Sequence, residues 1–256
     1  MSSLLDWFFP DQLSLAVTLI MIVVSFVTSA LTAAVGLGGG LALIAVMANL
    51  MPAAALVPVH GVVQLGSNAG RALVQVRHVD WSIVLWFAIG AVFGAAVGGA
   101  IAVNLPDAWL RLGIGCFVLW VVWGKPLKLG QFAKQAMGFA GFLGTLMSMF
   151  FGAAGPIGAS VLSTLGLTRH QFVANQAATA LIMHVFKVIA FGVLGFAFAP
   201  WAGLIILMII SGFAGTLVGS QLLGRMKEST FRVGFKIVMT LLALNLLWQG
   251  TSRLMA

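Results

Sequence analysis

Gly36-Leu37-Gly38-Gly39-Gly40 and Gly152-Ala153-Ala154-Gly155-Pro156 break two apolar runs at positions 116 residues apart, and the same offset carries Arg71 onto Lys187. Late in each half the offset becomes 121, so that Gly94, Gly98, Asp107 and Arg111 meet Gly215, Gly219, Glu228 and Arg232. An acidic residue four places before an Arg, in the same place twice, marks a duplicated chain. Each break is followed by a short apolar stretch, Leu41 to Met51 and Ile157 to Leu167. About eleven residues of helix reach only half of a bilayer core, at ~1.5 Å per residue against ~30 Å. Paired short segments interrupted by Gly and Pro are the sequence pointer to a transport site built of discontinuous helices.

Composition excludes a soluble fold. Of 256 residues, 61% are apolar and 7% charged, and mean hydropathy is +1.13. No stretch is left over for a soluble domain or a nucleotide site. The net charge of +8 sits mainly in short loops between apolar runs, where it reads as a topology signal and not as a nucleic-acid surface. The first run, Leu13 to Val35, has no basic residue ahead of it and is longer than a signal-peptide core, so it is expected to be retained. Further runs cover residues 56–76, 81–103, 109–123, 136–151, 171–192, 201–223 and 231–249.

These elements predict an all-α integral membrane protein: a helical bundle of two inverted repeats with broken or re-entrant half-helices. Residues 1–124 form the first repeat, 125–134 a linker and 135–256 the second. Loop charges choose the orientation. In the inverted arrangement the loops at Arg77, at Lys125 to Lys134, and at Arg225, Lys227 and Arg232 share one face, which leaves chiefly Arg111, Arg169 and Arg253 for the other. The linker is therefore expected in the cytoplasm and both termini outside. Three spans plus a segment with no net crossing satisfy each half.

Several residues suit an anion. Glycine breaks free backbone N–H groups at the start of a short helix, where donors and the helix dipole attract negative charge; Gly38, Gly39, Gly40, Gly155 and Pro156 are the candidates. Such glycines also serve close helix packing, the reading expected at Gly90, Gly94, Gly98, Ser211, Gly215 and Gly219. Arg71 and Lys187 are ionisable groups inside spans that hold no Asp or Glu, so a mobile anion supplies the missing charge. Snorkelling is the alternative for Arg71, two turns from Arg77. His60, Asn68 and Arg71, with Gln64 between, fall on one helical stripe, and Gln176, His184 and Lys187 repeat it. The two cations are expected to meet at the pseudo-dyad, completed by the guest ion. Gln64 and Asn175 equally suit interhelical hydrogen bonds.

No cofactor or metal is expected, because His60, His78, His170 and His184 lack ligand spacing and the Gly38 to Gly40 run is not followed by Lys-Ser or Lys-Thr. Cys116 is read as a small buried apolar side chain, and Trp81, Trp109, Trp201 and Trp248 as an interfacial belt.

Together with Asn175-Gln176-Ala177 at the start of the following span, the two breaks and the duplicated layout resemble the sulfite exporter TauE/SafE family of small membrane permeases. The resemblance covers essentially the whole chain. It implies transport, generally outward, of sulfite or organosulfonates such as sulfoacetate across the bacterial inner membrane. Gly40 stands opposite Pro156, so equal roles for the two breaks are not implied. The expected function is that of a secondary transporter, not an enzyme, with an anion-selective channel as the alternative. Partners are the small anion and the bilayer, with no nucleic acid; the glycine faces would also suit a homodimer contact.

Overall fold

The computed structural model describes residues 9–35, 38–102, 105–124, 133–222 and 228–255. Its helices are α1 (Leu15–Val35), α2 (Gly39–Leu50), α3 (Ala53–Val74), α4 (Trp81–Ala102), α5 (Asp107–Trp123), α6 (Ala136–Phe151), α7 (Gly155–Leu162), α8 (Arg169–Val193), α9 (Ala202–Leu222) and α10 (Glu228–Met255). Among the described residues, five helices are long and apolar enough to cross a membrane. Most of the expected linker, Gly36, Leu37, Arg225, Lys227 and the Glu228 and Arg232 side chains lie outside what is described.

Local chemistry sets the boundaries. Gly38 adopts φ 101° ahead of α2 and Gly152 φ 72° after α6, backbone that side-chain-bearing residues avoid. Pro156 sits in the first turn of α7, where a missing N–H costs nothing. A capping box of Thr168 and Gln171 starts α8. The short stretch after the second break is briefer than expected. Helix α7 begins at Gly155 and stops at Leu162, about 12 Å long at 1.5 Å per residue.

Glycine faces bring the halves together. A Cβ at Gly90 would lie 1.8 Å from the Gly138 carbonyl oxygen, and one at Gly94 2.3 Å from that of Phe142, so α4 and α6 run side by side in parallel at backbone contact. Gly215 and Gly219 do the same against Phe26 and Ala30 of α1, at 2.1 and 2.2 Å. Each half thus packs its first helix on the fourth of the other. The glycine readings at these positions are packing, as expected.

Equivalent helices cross in opposite directions. Gly61 of α3 faces Lys187 of α8, and at the far end His78 and His170 place their rings 5.4 Å apart. Helices α5 and α10 are likewise antiparallel, through Gly115 on Leu247 and Gly250 on Leu112. Both broken segments enter and leave by one end. Helix α2 returns to the end where Arg111 of α5 holds the Ala48 and Met51 carbonyls, and α7 leads back to the end where His170 opens α8.

Four expectations change. Arg169 opens α8 beside His78, and Lys134 joins Asp80 at 2.5 Å, so Arg169 shares the end of Arg77 and the linker; antiparallel pairing of α3 with α8 forces this. Arg111 is buried, bound to Asp107 at 3.0 Å and to Gln249 at 3.0 Å, and is not a loop charge. Cys116 is exposed on the outer surface of α5, because the helix turns Ile114 and Phe117 inward instead. Trp201 is buried at 5% exposure and leaves the belt, while Trp81, Trp109 and Trp248 remain outward.

A buried basic cluster where the two breaks meet

The breaks touch: a Cβ at Gly152 would lie 2.5 Å from the Ile44 side chain of α2. Around this contact gather His60 of α3 and His184 and Lys187 of α8, with exposures of 0%, 3% and 0%. Lys187 Nζ donates to the Gly152 carbonyl at 2.7 Å and the Ser148 carbonyl at 3.4 Å. These carbonyls close the C-terminal end of α6, the negative pole of its dipole, where the Gly152 N–H also donates to the Ser148 carbonyl at 3.0 Å and the Ser148 hydroxyl to the Gly152 carbonyl at 3.3 Å. They anchor the ammonium without neutralising it, and among the described residues no carboxylate pairs with it.

His60 places Nε2 3.0 Å from the Gly40 carbonyl in the first turn of α2, with the Gly152 carbonyl also beside the ring. The His60 and His184 rings lie 6.1 Å apart. Both Nδ1 atoms are buried without a partner. A buried polar atom with no hydrogen bond costs about 1–3 kcal/mol, which makes such atoms informative.

The second half-helix is held by a side-chain contact of the same kind. Gln176, at the position equivalent to His60, donates through Nε2 to the Gly155 carbonyl at 3.3 Å, and its Oε1 has no partner. Beside it, Gly144, Gly155, Gly158, Thr179 and Phe87 line a small cavity at the start of α7.

Arg71 is placed elsewhere, and the expected meeting of the two cations does not occur. It lies ten residues beyond Gly61 along α3, about 15 Å at 1.5 Å per residue, whereas Lys187 sits opposite Gly61. Antiparallel register is the cause: residues equated by the duplication fall on opposite sides of the crossing. Arg71 is half-buried in the last turn of α3, bonded to Asn68 Oδ1, with Nε unpartnered. Asn68 in turn donates to the Gln64 carbonyl at 2.7 Å. Because helical side chains lean toward the N-terminus, both cations point inward from their own levels, and Arg71 acts electrostatically on His184.

The glycine candidates divide. Gly38 supplies the left-handed turn and Gly40 the carbonyl for His60, with Gln64 Nε2 against its Cα. Gly39 is a packing residue, since its Cβ would lie 2.0 Å from the Thr28 carbonyl. Gly155 accepts from Gln176, and Pro156 only starts α7. Asn175 is structural: its Oδ1 accepts from the Asp80 backbone N–H at 3.1 Å. Sequence reasoning missed the Gly152 carbonyl and Gly61, which leaves room for the Lys187 stem at 3.3 Å. A backbone acceptor and a clearance carry no sequence signal.

No curated relative and no solved structure matches this chain. The model of the sulfite exporter TauE/SafE family matches residues 19–246, nearly its whole length. With five helices among the described residues long and apolar enough to cross a membrane, two broken hairpins and a basic core between them, the chain belongs to the TauE/SafE sulfite exporter family of membrane transporters.

Proposed function

We propose that this protein is a secondary transporter that exports a small sulfur-containing anion, sulfite or an organosulfonate, across the bacterial inner membrane. One observation carries the reading: Lys187, fully buried where the two breaks meet, has carbonyls and, among the described residues, no carboxylate around it. An ion of charge +1 held this way is costly unless a guest completes it. His60, His184 and the cavity beside Gln176 supply further polar contacts, and Arg71 forms a second cationic station. The repeats are inverted, a reading that the antiparallel crossings of α3 on α8 and α5 on α10 support. Arg77, Lys134 and Arg169 gather at one end, which is the cytoplasmic face by the positive-inside rule. Outward movement of an anion gains ~2.3 kcal/mol per charge per 100 mV from the membrane potential.

An occluded carrier suits side chains exposed by 0–3% better than a standing pore does. The test is uptake of radiolabelled sulfite and of a sulfonate into inverted vesicles. Saturable uptake that needs the protein is expected; its absence for both anions refutes the assignment, and single-channel steps in planar bilayers would replace the carrier with a channel.

A further inference from the structure

The hydrogen-bonding state of His60 constrains what accompanies the anion. A carbonyl oxygen only accepts, so Nε2 at 3.0 Å from the Gly40 carbonyl carries the ring's proton. In the neutral ring Nδ1 is then an acceptor, and it is buried with nothing donating to it. A fully ionised oxyanion is acceptor-only as well. Acceptor against acceptor repels, and the contact closes only if a proton lies between them.

Charges around the ring favour that proton when the anion is present and disfavour it otherwise. From α8 come His184 and Lys187, while Arg71, further along α3, acts on His184 instead. Helix α2 and the break after α6 present only the Gly40 and Gly152 carbonyls. Helices α4, α6 and α9 contain no ionisable side chain. Helix α5 contributes Asp107 and Arg111, which bind each other at the far end. A proton added to an empty cluster therefore meets the like charge of Lys187 with only the Gly40 and Gly152 carbonyls to offset it, whereas a proton added beside a bound anion is attracted. Binding of the two is mutually reinforcing, and by linkage each raises the affinity of the other equally.

We propose that His60 carries one proton with each anion, so that sulfite crosses as a dianion plus H+. This rests on the reading of the cluster as an anion site. On the loading side the Nδ1 lone pair takes H+ from water as the anion enters and an Nδ1–H bond forms. On release that bond breaks and H+ returns to water with the anion. No electron changes hands.

The experiment measures charge per sulfite by reversal potential in proteoliposomes, with a tenfold sulfite gradient and equal pH on both sides, alkaline enough that sulfite is the dianion. One net charge per sulfite gives a reversal near 59 mV, two charges near 30 mV. The wild type is expected at the larger value. His60→Asn places an amide donor near the Nδ1 position without a titrating group, and is expected to move sulfite at the smaller value. His60→Gln mimics the Gln176 arrangement already present in the other half, keeps the Gly40 contact, and is expected to lose coupling too. A wild-type reversal near 30 mV overturns the proposal while leaving sulfite transport standing. A reversal near 59 mV in both variants removes His60 as the carrier. Absence of any sulfite current or flux overturns the transport assignment itself.

Discussion

Lys187→Met separates what the buried ammonium does for the fold from what it does for the anion. Burial of an unpaired ion carries a penalty of several kcal/mol, and Met keeps the volume without the charge. Against that relief, the Gly152 and Ser148 carbonyls each lose one donor but keep another, the Ser148 hydroxyl and the Gly152 N–H, so the loss stays below the ~1–3 kcal/mol of a buried acceptor left bare. The relief is the larger effect, so thermal stability of the detergent-solubilised protein should not fall. Binding has no such offset. An anion about 4 Å from the ammonium at an effective dielectric near 20 gains about 4 kcal/mol, roughly a thousandfold in affinity. The assay pairs an intrinsic tryptophan-fluorescence melting curve with the sulfite dependence of uptake in inverted vesicles. A melting temperature no lower than native, with half-saturation raised by two to three orders of magnitude, is expected. Unchanged half-saturation in a well-folded variant refutes the view that this cation meets the substrate.

Gly90→Val and Gly215→Val should each destabilise the protein by at least about 2 kcal/mol, because new side chains would collide with the Gly138 and Phe26 carbonyls. Gly234→Ala, with nothing within 4 Å of its Cβ, should be neutral or stabilising by roughly 0.5–1 kcal/mol; fluorescence-detected size exclusion after heating ranks the three. Arg111→Met strips the donors from the Ala48 and Met51 carbonyls and from Gln249, and should cost about 3 kcal/mol or more on the same assay. The Lys134 ammonium hydrogen-bonded to Asp80 holds that carboxyl below its ordinary range. A depressed folded-state value means that the stabilisation is present above the unfolded carboxylate range and fades as pH falls through the folded one. With Lys134 about half exposed the pair is worth less than ~1 kcal/mol. Asp80→Asn should therefore lower the melting temperature slightly at neutral pH and not in acid.

Much of the architecture was legible from residue order because its causes are local. The glycine breaks at 36–40 and 152–156 interrupt their helices where Gly38 and Gly152 take left-handed backbone. Gly90, Gly94, Gly215 and Gly219 announced close helix contact by spacing, though not which helix would approach. Arg111 and Cys116 were misplaced for one reason: position in a chain does not say which way a helix faces. Both sit on α5, and its rotation against α2 and α10 turned the Arg inward and the Cys outward.

Membrane class and the two broken hairpins followed from the sequence by itself, since hydropathy and the conformational chemistry of Gly and Pro do not depend on distant neighbours. Which cation joins the breaks did not follow. Arg71 and Lys187 stand 116 residues apart, the spacing of the two glycine breaks, yet antiparallel crossing of α3 on α8 sends them to different depths, and only Lys187 reaches the carbonyls at the end of α6. His60 gained its partner in the same way, from a turn of α2 twenty residues upstream. Register between packed helices is a property of the whole assembly, set by where glycine faces let backbones close, and tertiary structure alone decided it.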